Sequence, residues 1–171
     1  MDNQQERPGS LETGWLIGAM EGEGCLTVVR SKWRTGKMYH NVAIILSNTN
    51  KAFIERVARN LESLGVGHHI AWYSVEQQAQ YNRRVKRPMG RLTIWGCKRV
   101  AKFLSQTINL WEAKRPQAQL LLDFTKRERP YCGPEFDRFG ELSRGLNQGI
   151  LTDYTSNMLL HDDIVGPQSK G

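Results

Sequence analysis

The sequence is poor in the features that would direct it into a membrane or out of the cell. Its three cysteines, Cys25, Cys97 and Cys132, are odd in number, far apart and in no CxxC pair, which excludes a disulfide framework and a zinc site of the usual ligand spacing. Apolar runs such as Leu120 to Leu122 fall far short of the about 20 residues that a membrane span needs. The segment Met1 to Ser10 is polar and carries Pro8 and Gly9 where a signal peptide would be apolar. An intracellular, soluble protein without a targeting signal is expected, acting in a microbial cytoplasm or an organelle matrix.

What is present suffices for one folded domain. Apolar residues make up 39% of the 171, enough for a compact core and too many for a disordered chain. Lysine and arginine number 24 against 17 acids, a net charge of +7 that makes a polyanion the first partner to consider. The chain divides into a polar arm over 1–10, a core over 11–130, and a tail over 131–171 that is weakly helical before turning polar.

Between Leu11 and Met20, the residues Trp15, Leu16, Ala19 and Met20 recur at helical spacing, and the run ends in Glu21-Gly22-Glu23-Gly24. Cys25 to Trp33 and Tyr39 to Asn48 are extended and rich in β-branched residues, and the turn Arg34-Thr35-Gly36-Lys37 joins them as a hairpin. Asn50 is placed to cap a helix from Lys51 to Leu64 with the stripe Phe53, Ile54, Val57, Leu61 and Leu64, stopped by Gly65-Val66-Gly67. Strands follow at His69 to Val75 and Met89 to Trp95, separated by a basic loop from Gln77 to Pro88, then helices at Lys98 to Ile108 and Pro116 to Lys126. The order αββαββαα describes an α+β fold.

The chemistry concentrates where the first helix ends. Gly18 and Ala19 are small enough for two such helices to approach closely, so with Trp15 and Gly22 they are the expected dimer contact. Gly22 and Gly24 permit a sharp exit into the strand, which aims Glu23 out at the end of the seam. In a two-fold dimer the two Glu23 carboxylates would stand side by side, and such a pair repels unless a hard divalent cation lies between. Mg²⁺, or Mn²⁺ in its place, would then activate water and stabilise the leaving oxygen of an in-line displacement at phosphorus.

The segment from Leu16 to Gly24 resembles the signature of the LAGLIDADG homing endonucleases, and the resemblance runs in order from about Leu11 to Arg129. It implies the αββαββα fold, a saddle-shaped antiparallel sheet lying on DNA with helices on its other face. A single motif in a chain of this length implies a homodimer. The metal ligands it implies are Glu23 and the backbone carbonyl at Gly22; glutamate stands where many relatives have aspartate. The polar residue at the end of the second strand falls on Asn48, with Thr49 and Asn50 as adjacent alternatives. The basic residue before the later helix falls on Lys114, where a cation would stabilise the developing phosphorane charge. Lys51 is the nearest match to a further basic position.

Strand alternation in that register turns Thr27, Val29 and Ser31, then Tyr39, Asn41, Ala43, Ile45 and Ser47, then Arg91 and Thr93 toward a major groove. On the third strand the same register offers His68, Ile70 and Trp72, but Ile70 and Trp72 serve equally as core, and the strand stays undecided. Arg30, Lys32, Arg34, Lys37, Arg83 and Arg84 lie near strand ends, suited to phosphates. The activity expected is a metal-dependent double-strand break in a long, pseudo-palindromic DNA site. The alternative is an RNA maturase, or a DNA-binding protein of the same family that does not cut.

Overall fold

The computed structural model describes residues 8–80 and 86–155, the first three of these by backbone alone. The elements are α1 (Pro8–Glu23), β1 (Gly24–Lys32), β2 (Met38–Asn48), α2 (Lys51–Ser63), β3 (His69–Tyr73), α3 (Val75–Ala79), β4 (Met89–Trp95), α4 (Cys97–Thr107), α5 (Arg115–Thr125) and α6 (Pro134–Asn147). A single 3₁₀ turn, Ile108–Leu110, lies between α4 and α5. The expected αββαββαα order is present with α3 added: Ser74 and Gln77 form a reciprocal capping box that folds the start of the basic loop into one short helix.

Local signals account for the boundaries. The β1–β2 turn is closed by Trp33 N–H donating to Lys37 O at 2.9 Å and Gly36 N–H donating to Trp33 O at 2.8 Å, with Gly36 at φ 83°. Asn50 caps α2, its Oδ1 accepting from Phe53 N–H at 3.2 Å, and Gly65 ends the helix at φ 64°.

The four strands form one antiparallel sheet in the order β1-β2-β4-β3. One face is the core: Leu26, Val28, Val42, Ile44, Leu46, Leu92 and Ile94 are buried beneath the helices. Ile54, Val57 and Leu61 of α2 and Val100, Phe103 and Leu104 of α4 complete it. The other face carries the alternate residues of each strand, and no helix among the described residues lies over it.

α6 belongs to the same core. It buries Phe136, Phe139, Leu142 and Leu146, and the rings of Phe136 and Phe139 stand edge-on to Phe124 of α5 at 5.3 and 5.1 Å. Each such ring pair contributes about 0.5–1.5 kcal/mol beyond the area it buries. α6 also covers the free edge of β1: Ser143 Oγ accepts Val28 N–H at 3.0 Å and Asn147 Nδ2 donates to Leu26 O at 2.9 Å. These bonds satisfy ladder groups that an edge strand otherwise leaves open to another chain.

Candidate active site and nucleic-acid face

The glycines at the end of α1 act through size. Neither Gly22 nor Gly24 has positive φ, so the exit from helix to strand needs no left-handed residue. Gly24 is required because a Cβ there would stand 2.5 Å from Met20 O. Helical geometry persists to Glu23, leaving Glu21 half-buried and Glu23 exposed on the last turn.

Residues about ninety positions later close on this turn. Glu21 Oε1 accepts the backbone N–H of Glu112 at 2.7 Å and of Lys114 at 3.1 Å, tying the entry of α5 to the end of α1. Lys114 Nζ donates to Gly24 O in a close contact and to Met20 O at 3.4 Å. Burial pushes the Lys114 amine below the usual lysine range, while the charges of Cys25, Glu21 and Glu23 pull it back up. Glu23 and Lys114 are thus brought together, and Glu23 makes no hydrogen bond or ion pair among the described residues.

Asn48 ends β2 opposite Gly90, two residues beyond the Gly24–Leu46 pair, so it lies at the same end of the sheet. Its Oδ1 accepts Asn50 N–H at 2.8 Å. Lys51 points to solvent and pairs with Glu55 at 3.6 Å.

The cross-strand register puts the expected groove residues on one face. Thr27 stands opposite Ala43, Val29 opposite Asn41, Ser31 opposite Tyr39, Ile45 opposite Thr93, and Ser47 opposite Arg91. Ala43 is wholly buried on this open face, since Thr27 and Trp95 flank it across the two ladders. Arg30 has the opposite parity: it lies on the helix side and pairs with Asp137 at 3.5 Å. Lys32, Arg34 and Lys37 are exposed at the hairpin end, where Trp33 packs on Tyr39 with centroids 5.0 Å apart. Arg83 and Arg84 lie outside the described residues.

The undecided third strand takes the register opposite to His68, Ile70 and Trp72. His69 pairs with Thr93, Ala71 with Arg91, and Tyr73 with Met89, so these three join the open face, and the Arg91 guanidinium lies 5.4 Å from the Tyr73 ring centroid. Ile70 and Trp72 face the helix side; the Trp72 ring crosses Gly90 so closely that a Cβ there would be 2.7 Å from it. The apolar pair Ile70 and Trp72 was the available signal, because turning it to the helix side turns His69, Ala71 and Tyr73 to the open face, although Trp72 stays 43% exposed. Cys25 and Trp95, also on the open face, were not anticipated as site residues.

On α1, Gly14, Gly18 and Gly22 recur every fourth residue, and a Cβ added at any of them meets nothing within 4 Å. Ala19 is half-buried. Trp15 is engaged inside the chain, its ring edge-on to Phe53 at 5.7 Å and 3.8 Å from the Arg56 guanidinium.

Solved structures share this architecture. The homing endonuclease I-CvuI, in complex with the I-CreI target in 2 mM magnesium, superposes with a TM-score of 0.63 at 19% identity over 86% of each chain. The LAGLIDADG meganuclease I-CpaMI, bound to uncleaved DNA, matches at 0.54 and 13% over 84% of this chain and 50% of its own. The chain has the LAGLIDADG homing-endonuclease fold. A third example of it, the group I intron-encoded homing endonuclease I-CeuI complexed with DNA, matches at 0.51 and 18% identity over 73% of this chain and 57% of its own. No protein-family model and no curated protein matches the sequence. Within the fold, Glu23 and Lys114 stand where α1 runs into the open sheet face.

Among the described residues no group of three or more His, Cys, Asp or Glu side chains is placed to hold a metal. One chain offers an exposed carboxylate at Glu23 and backbone carbonyls at the helix end, oxygen donors of the kind a hard divalent ion takes.

Proposed function

We propose that two copies of this chain form a site-specific endonuclease that makes a double-strand break in a long, pseudo-palindromic DNA site, as enzymes of mobile introns do. The observation that carries this reading is the meeting of Lys114 and Glu23, which has no hydrogen-bond or ion-pair partner among the described residues, at the edge of the open sheet face. Duplex DNA on that face receives base contacts from the strand residues and phosphate contacts from Lys32, Arg34 and Lys37.

The glycine face of α1 is the expected seam between copies, since only a second backbone at close range uses three adjacent open glycines. Two-fold packing there brings both Glu23 side chains to the centre of the bound duplex. Glu23 and the Gly22 carbonyl would hold Mg²⁺ or Mn²⁺, which supplies an activated water and charge neutralisation at the scissile phosphate. Lys114 has three N–H donors, two of them engaged by Met20 O and Gly24 O. The third remains for a phosphate oxygen that gains charge in the transition state, and Asn48 Nδ2 is left to orient solvent.

The test is incubation of the purified protein with a library of long duplexes and magnesium, alongside Glu23→Gln. The parent is expected to cut both strands and the variant to bind the same duplex while cutting at least about a hundredfold more slowly. Binding of structured RNA with no duplex cut would instead identify a maturase; cutting at the parent rate by Glu23→Gln would remove the proposed site.

A further inference from the structure

β2 is longer than its neighbour β4. β4 ends at Trp95, opposite Ala43, and Gly96 turns the chain away into α4 at φ 90°, so from Val42 toward Met38 that side of β2 has no strand to pair with among the described residues. Its backbone groups find single partners: Gly96 N–H donates to Val42 O at 3.0 Å, and His40 N–H donates to Tyr131 O at 2.8 Å.

Val42 N–H would be left over, and a side chain takes it. Asn41 Oδ1 accepts it at 2.9 Å, and the Cys97 Sγ lies 3.9 Å from the same oxygen. An N–H can be satisfied only by the oxygen end of an amide, so this bond fixes the orientation of Asn41, which side-chain shape alone leaves ambiguous. Burial raises the Cys97 thiol above its ordinary range, which keeps it a second donor to that oxygen. Asn41 is half-buried on the open face opposite Val29, and its Nδ2 has no partner among the described residues.

We propose that Asn41 reads its base pair as a donor only, its oxygen committed to the end of the β2 ladder and its NH₂ offered to an acceptor in the major groove. This rests on the endonuclease reading above. An unconstrained asparagine pairs with adenine through both ends of its amide, accepting from N6 and donating to N7. The committed oxygen closes that pairing. Guanine presents two acceptors, O6 and N7, to the remaining donor, whereas cytosine presents only its N4 amino donor. A lone donor also finds one acceptor on adenine, N7, and one on thymine, O4, so Asn41 ranks guanine first, admits adenine and thymine more weakly, and rejects cytosine at one symmetric pair of positions.

Binding-site selection from random duplexes, with calcium to hold cleavage in check, compares the parent chain with Asn41→Asp. The aspartate still accepts Val42 N–H, so the ladder end is kept, but it offers no donor and favours the cytosine amino group. The parent should enrich guanine over cytosine about five- to tenfold at that position, near the lower end of what a good groove pair is worth, and the variant should reverse the preference. The parent profile decides even where the variant folds poorly: adenine enriched there, with binding lost when its 6-amino group is removed, overturns the inference. So does an unchanged profile in a folded Asn41→Asp. Failure to enrich any duplex overturns the endonuclease reading and this one with it.

Discussion

At the scale of single residues, Lys114 is held in surroundings that oppose its own charge. Burial lowers its pKa and the charges of Glu21, Glu23 and Cys25 limit the drop. If its cation assists cleavage, activity falls as pH rises through that lowered pKa, so the alkaline limb of the rate profile lies below the range of an ordinary lysine. Glu21→Gln keeps an acceptor for Glu112 and Lys114 N–H but removes one of the opposing charges, which lets the amine fall further. The alkaline limb of that variant should therefore move to lower pH, measured as single-turnover cleavage against pH. A limb that stays in place would deny Lys114 this role. The linked stability has its own sign: between the folded and unfolded pKa the unfolded chain holds more protons at this lysine, so its burial cost is relieved as pH rises. Lys114 was legible as a basic residue just ahead of a helix. Glu21 was not, because its partners lie 91 and 93 residues away and no local pattern joins them.

At the scale of elements, periodicity placed the hairpin, α2, α4, α5 and β4 to within a residue or two, since each has a buried stripe and a chemical stop. The capping box of α3 lies in Ser74 and Gln77 at the start of a stretch whose charge points to a loop. The third strand was ambiguous because five residues allow too few alternations to choose a face. α6 was read as weak although Phe136, Phe139, Leu142 and Leu146 mark one helical side, and its docking has a measurable signature. Its Asp137 lies 3.3 Å from His40 Nε2, and the other ring nitrogen of this buried histidine has no partner among the described residues. Burial lowers the His40 pKa, Asp137 opposes that from α6, and Arg30 adds to it from β1. The unfolded chain therefore takes up this proton first, near the ordinary value of about 6.5, and stability should decline as pH falls from there through the lowered folded pKa. Urea midpoints at pH 7.5 and 5.5 should diverge for the parent and less for His40→Gln; equal slopes would show that His40 is not the group responsible.

For the whole molecule, the sheet and its helices explain how one chain folds, yet one face of α1 meets nothing among the described residues. Gly14, Gly18 and Gly22 are poor helix formers, each costing about 1 kcal/mol relative to alanine, and among the described residues Gly14 and Gly18 have no contact that requires their smallness. That cost has a return only if another surface comes close. Gly18→Leu separates the two roles: its Cβ has open space in the single chain, and helix propensity improves by several tenths of a kcal/mol or more. The variant should unfold at a temperature no lower than the parent when both are compared as monomers. In sedimentation equilibrium at the same concentration it should run as a single chain where the parent pairs, and its double-strand cutting should fall at least about tenfold, because one Glu23 and one Lys114 make half a site. Binding should also lose much of its salt dependence, since a lone chain brings half of the phosphate-contacting cations to the duplex. A Gly18→Leu protein that still pairs and still cuts both strands would mean that the glycine face of α1 is not the seam, and the placement of paired Glu23 carboxylates over the DNA would fail with it.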